Sequence, residues 1–185
     1  GIMDEPPVRY WVTGENKWRY ASNWPVPETK WTPLYLECWE RLRWDKIDPD
    51  AFDGANIPDT FVQMPPTLTN DIQKLRYMTE PLAEDVTIAG PISATFWASI
   101  DDDDTNWFVT LKDLGPCAYD RTGRKGETEL PELEERYLTK GMLKASMREL
   151  DEELSTPYKP WHKLTKESEK KVVPGEINEY NVEVM

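Results

Sequence analysis

The sequence predicts an all-β sandwich, and three features of it carry that prediction. Apolar or β-branched residues fall on alternate positions at Val86, Ile88, Ile92, Ala94, Phe96 and Ala98, and again at Trp107, Val109 and Leu111, the period-two pattern of strands with one buried face. Sixteen prolines and nine tryptophans punctuate a chain with few 3.6-residue patterns, which points to short strands joined by irregular loops. The 185 residues, 38% of them hydrophobic, suffice for one substantial core, and no shift in composition divides them, so a single domain over residues 1–185 is expected.

In chain order, Val8, Tyr10 and Val12 share a face, and Gly14-Glu15-Asn16 turns the chain after this first strand. The segment Asn16 to Trp31 sets Trp18, Trp24 and Trp31 among prolines and reads as a loop clamped by aromatic rings. A second strand is expected over Thr32 to Trp39. From Glu40 to Asn70 periodicity disappears, and a loop of that length in a compact domain is usually functional or covered by something else. A short strand over Gln73 to Tyr77 leads into a central hairpin, in which the strands on either side of Asp101-Asp102-Asp103-Asp104 pair with each other and the first bends at Gly90-Pro91. Gly115 to Glu135 reads as an exposed excursion with one helical turn near Leu130 to Arg136. Tyr137 to Leu150 fits helix or strand by pattern alone. Ser155 to His162 is an extended, proline-rich loop, and Glu176 to Val184 closes the chain as a strand with Ile177, Tyr180, Val182 and Val184 as its apolar positions.

Charge narrows the function. Against 22 basic residues stand 35 acidic ones, a net charge of -13 that repels phosphate backbones and anionic lipid, so neither nucleic acid nor a membrane is expected as a partner. No apolar run approaches the ~20 residues of a spanning helix, and Gly1 to Pro7 lacks the basic and apolar regions of a signal peptide. The expectation is a soluble, cytoplasmic chain. Cys38 and Cys117 have no metal-type neighbour at short spacing and are read as small thiols, with a disulfide the minor alternative.

Chemistry is hard to assemble from these residues. There is no G-x-S-x-G, and the single histidine, His162, stands between Trp161 and Lys163 without a nucleophile motif, so it is read as a structural side chain. This chain alone therefore lacks a Ser-His-Asp triad. Asp101 to Asp104 lacks the spaced ligands and closing Glu of a calcium loop, and turn chemistry is the preferred reading. Paired carboxylates for glycoside cleavage are at chance level among so many acids. Neither a metal nor a cofactor is expected. Trp11, Trp18, Trp24, Trp44, Trp107 and Trp161 form a pool for sugar stacking, but tryptophan is more often core or interface.

Five blocks, Val12–Arg19 with Asn23–Pro25, Tyr77–Ala94, Trp97–Asp113, Leu138–His162 and Val173–Val184, resemble in order the C-terminal non-catalytic domain of the X-Pro dipeptidyl-peptidase, cocaine esterase and α-amino-acid ester hydrolase group of serine hydrolases, the CocE/NonD type. The resemblance implies a jelly-roll sandwich of the galactose-binding-like type and makes Leu138 to Leu150 strand. It also implies an α/β-hydrolase catalytic domain elsewhere in the parent polypeptide, on which the sandwich packs and whose substrate pocket it helps to wall. Family members continue past the equivalent of Met185, so the sandwich is expected to be incomplete, with a last-strand edge open to a second copy.

The resulting expectation is an accessory domain of an acyl esterase or X-Pro dipeptidyl-peptidase-like hydrolase. Trp18, Trp24, Phe61, Met64, Tyr158 and Trp161 are its interface or pocket-wall residues, chosen because aromatics and Met are enriched in interface cores. The alternative is a carbohydrate-binding module of galactose-binding-like fold.

Overall fold

Eight strands and two short 3-10 turns make up the regular structure of the computed structural model, which describes residues 5–48, 57–65, 67–116 and 133–184. They fall in two compact units, Gly1–Ala89 and Gly90–Met185. Every sheet is a two-stranded antiparallel pair, and no α-helix occurs among the described residues. The all-β class is thus what the alternating patterns promised.

In the first unit, β1 (Val8–Val12) pairs with β2 (Lys17–Ala21) across the Gly14 turn. Asn16, at φ 51, takes the left-handed position that this turn requires. Glu15 pairs with both Lys17 and Arg19, and these contacts, Lys17 first, hold its carboxyl below the usual range. The stretch read as an aromatic-clamped loop from Asn16 is therefore strand up to Ala21 and loop beyond it. The reason is pairing with β1, a tertiary effect that proline content nearby does not report.

The strand expected over Thr32 to Trp39 shrinks to β3 (Tyr35–Glu37), paired with β4 (Arg41–Arg43). Between them Trp39 and Glu40 both sit at positive φ, 66° and 59°, a conformation non-glycine residues adopt only when their surroundings enforce it. Here the Trp39 N–H donates to Asp59 Oδ1 at 3.0 Å. The Met78 N–H donates to the Glu40 carbonyl at 2.9 Å, and the Arg76 N–H to its carboxylate at 2.6 Å. The strand expected over Gln73 to Tyr77 is absent; instead Met78 alone bridges to Arg41 in parallel. Glu37 is buried and its carboxylate meets Arg41 Nε at 3.0 Å and Arg43 Nη1 at 3.1 Å, which neutralises a charge that would otherwise be costly to bury.

The second unit contains the core. β5 (Ile92–Ala98) pairs with β8 (Asn178–Val184), and β6 (Asn106–Pro116) pairs with β7 (Leu133–Lys144). The central hairpin expected around the aspartate run is therefore not formed, because β5 and β6 belong to different sheets. Backbone groups of the connection are satisfied from outside it: the Gly175 N–H donates to the Ile100 carbonyl at 2.7 Å and the Ala145 N–H to the Thr105 carbonyl at 2.8 Å. Val86 and Ile88, counted as part of the same strand, are exposed and outside β5, which starts only after Gly90, at φ 124, has bent the chain. Facing side chains of the two sheets, Leu143, Tyr180 and Val182 with Phe96, Trp107 and Val109, enclose the core together with Ala145 and Val172. Phe96, Trp107 and Tyr180 pack in edge-on and tilted pairs with ring centroids 5.2–5.7 Å apart, each such pair contributing about 0.5–1.5 kcal/mol beyond burial.

Leu138–Lys144 is strand, as the resemblance implied, and a 3-10 turn at Ala145–Met147 follows. Leu133 to Arg136 is also strand rather than a helical turn. The register of β6 and β7 shifts between Leu111 and Lys112, leaving Leu138 as an unopposed bulge residue. Ile177 lies just outside β8 and is exposed, so the apolar face of that strand begins at Tyr180. The excursion expected from Gly115 to Glu135 is shortened by strand at both ends, and its centre, with Cys117, lies outside the described residues.

Candidate functional site

The aspartate run settles into turn chemistry. Asp102 Oδ1 accepts the Asp103 N–H at 2.8 Å, while Asp104 Oδ1 accepts from the backbone of Thr105 at 2.9 Å and of Ser146 at 3.0 Å. Asp104 Oδ2 also meets Lys144 Nζ at 3.0 Å. Partial burial acts to raise the Asp104 carboxyl, but these donors outweigh it and the group titrates below its ordinary value. Asp104 thus ties the β5–β6 connection to the end of β7. Among the described residues no group of three or more His, Cys, Asp or Glu is placed to hold a metal.

His162 bridges to Leu150, and its imidazole is half-buried. Burial depresses its pKa against the opposing pull of a hydrogen bond to the Asn181 backbone and the Glu183 carboxylate. Among the described residues its Nε2 is buried without a hydrogen-bond partner.

What remains is an aromatic surface. In the first unit, among the described residues, only Ala21, Glu37 and Cys38 are buried, whereas tryptophans at positions 11, 18, 24, 31, 39 and 44 are all exposed. Strand alternation in the β1–β2 hairpin puts Arg9, Trp11, Trp18 and Tyr20 on one face and Val8, Tyr10, Val12 and Ala21 on the other. Trp11 packs edge-on against Trp18 with centroids 5.3 Å apart. On the opposite face Tyr10 meets Trp24 at 6.1 Å. Trp18 and Trp24, both expected at an interface, are thus about half exposed on opposite sides of one hairpin. Phe61 and Met64 are exposed in the irregular stretch after residue 57.

Tyr158 and Trp161 belong to the second unit, in a segment pinned by the Thr156–Lys159 bridge and by Ser93 Oγ, which donates to the Pro157 carbonyl at 2.7 Å. Tyr158 is half-buried; Trp161 is exposed, with Lys159 Nζ 5.6 Å from its ring centroid. Trp107, from the sugar-stacking pool, is instead core. Trp39 is the residue sequence reasoning missed. At 73% exposure it is the most exposed tryptophan of the chain's described part, held out by the left-handed turn, and nothing in its local pattern announces that turn.

The chain belongs to the X-Pro dipeptidyl-peptidase C-terminal non-catalytic domain family, whose model matches residues 1–185. A protein named as a serine esterase from Mycobacterium bovis is 28% identical over 198 residues, covering 96% of this chain and 29% of its own length, and one from Mycobacterium tuberculosis has the same figures. Cocaine esterase from a Rhodococcus species is 28% identical over 141 residues, 60% of this chain and 24% of that protein. A solved structure of a CocE/NonD family hydrolase from Staphylococcus aureus covers the whole chain at 21% identity and a TM-score of 0.49, over 31% of its own length. This chain spans less than a third of the length of these relatives. Family membership does not favour the carbohydrate-binding alternative. No helix among the described residues is long and apolar enough to cross a membrane.

Proposed function

We propose that residues 1–185 form one accessory module that packs on the α/β-hydrolase catalytic domain of the same polypeptide and helps to wall its substrate pocket, the parent acting on esters or related acyl bonds. The observation that carries this is the imbalance of the first unit, where three buried described residues stand against six exposed tryptophans, Trp11 and Trp18 on one face of the hairpin and Trp24 against Tyr10 of the other. An isolated two-stranded hairpin is marginal in water, and exposed apolar surface on this scale marks an interaction site. Covering it with the remainder of a chain more than three times as long supplies the missing core. A jelly-roll arrangement, completed by strands beyond those described, is part of the same proposal, as is the role of Trp18, Trp24, Phe61, Met64, Tyr158 and Trp161 in the contact. Pairing of copies through an open strand edge is the rival occupant of the exposed surface.

The test uses the full-length protein. Trp24→Ala and Trp161→Ala are each expected to speed proteolytic cleavage between catalytic and accessory parts several-fold and to raise KM for a nitrophenyl ester. Unchanged cleavage and unchanged kinetics in both variants would remove these residues from the interface.

A further inference from the structure

Resting on that docking reading, we propose that Arg9 is the charged anchor of the surface and that the catalytic domain meets it with a carboxylate set in an apolar patch. Arg9 lies opposite Tyr20, and Trp11 opposite Trp18, on one exposed face of the β1–β2 hairpin. The guanidinium carbon of Arg9 is 4.1 Å from the centroid of Trp18 and 5.8 Å from that of Tyr20. Two rings therefore hold the guanidinium before any partner arrives, which lowers the ordering cost of docking.

Stacking occupies the faces of a guanidinium and leaves its in-plane N–H donors, a fork that matches a carboxylate bidentately. Among the described residues no carboxylate pairs with Arg9, although the chain has 35 acidic residues. The acid of the adjacent turn, Glu15, is taken by Lys17 and Arg19. An arginine without a carboxylate partner among the described residues, beside two tryptophans and a tyrosine, has the composition of a binding hot spot.

Charge decides between the possible occupants. A second copy would bring carboxylates, but each copy carries a net charge of -13 and the pair would repel. The rest of the polypeptide is tethered, and a short tether presents it at an effective concentration on the order of millimolar. Its carboxylate is the group that the Arg9 guanidinium selects.

Hydrogen exchange on the full-length protein, comparing wild type with Arg9→Ala, Arg9→Glu and Arg9→Lys, tests this. Wild-type amides of residues 8–21 are expected to be protected. Arg9→Ala and Arg9→Glu should exchange there roughly tenfold to a hundredfold faster and Arg9→Lys by less, as fits loss of one hot spot. One acid-containing segment of the catalytic domain should lose protection in parallel. Protection in wild type that all three variants keep would overturn the carboxylate anchor while leaving the docking reading standing. An unprotected hairpin in wild type would overturn both. Protection that appears only at concentrations where light scattering detects a dimer would assign the face to a second copy and overturn the choice of partner.

Discussion

Replacing Gly141 with alanine tests the way the two sheets of the second unit close on each other. Gly141 lies on the inward face of β7, opposite Val109. A Cβ built there would stand 2.0 Å from the Glu183 carbonyl oxygen, 2.8 Å from its carbon and 2.9 Å from Val182 Cγ1. Two of those atoms are backbone of β8, so no rotamer change relieves the clash. Restoring an ordinary contact of ~3.4 Å from the oxygen requires the strands to part by more than 1 Å, in a core built on Val182, Tyr180 and Leu143. Overpacking alone costs about 1–3 kcal/mol, and loosened packing brings the expected loss to roughly 3 kcal/mol. At ~2–4 °C per kcal/mol for a chain of this size, Tm should fall by about 6–12 °C. Scanning calorimetry and urea denaturation give the value, with Gly14→Ala as control, since nothing lies within 4 Å of a Cβ there. If Gly141→Ala were as stable as that control, the close approach of β7 to β8 would be wrong.

Three further outcomes follow from charged and polar groups. Because burial depresses the His162 pKa, the native state prefers the neutral ring; its stabilising contribution is intact above the unfolded value of ~6.5 and is lost as pH falls below it. Denaturant midpoints between pH 8 and 5 should therefore decline more for wild type than for His162→Gln, and parallel curves would count against the assignment. Tyr77, pushed up to about 12 mainly by burial and then by Asp59, should appear as a late phenolate in a rapid alkaline absorbance titration; that component should vanish in Tyr77→Phe. Asp104→Ala removes an acceptor for two backbone N–H groups and the partner of Lys144, and is expected to cost about 1–2 kcal/mol in chemical denaturation, with Asp104→Asn losing less. A neutral alanine variant would mean the connection is held by other contacts.

Strands whose alternating apolar face is complete were legible. Val8, Tyr10 and Val12 gave β1, and Tyr180, Val182 and Val184 gave β8, because one-sided burial writes period two into the chain. Partner identity was not legible. β5 and β6 look like a hairpin because each has a buried face and an acidic turn lies between them, but the same pattern serves two strands facing each other across a core. Local pattern also failed at Trp39 and Glu40, where Asp59 accepts from the Trp39 N–H and the Arg76 and Met78 N–H groups donate to Glu40. As for the surface, composition directed attention to aromatics, yet it could not say that Trp18 and Trp24 occupy opposite faces or that the Arg9 guanidinium sits over Trp18.

The pairing of β5 with β8 sets a timetable for biosynthesis. Ile92–Ala98 leaves the ribosome about 80 residues before Asn178, the first residue of its partner. At ~5–20 residues per second that is a wait of roughly 4–16 s, during which Ala94, Phe96 and Trp97 have no native partner strand. An N-terminal nascent chain halted before β8 should accordingly be held by chaperones and be digested readily by protease, and one extended through Val184 and clear of the exit tunnel should resist; equal sensitivity of the two would show that β5 finds shelter earlier.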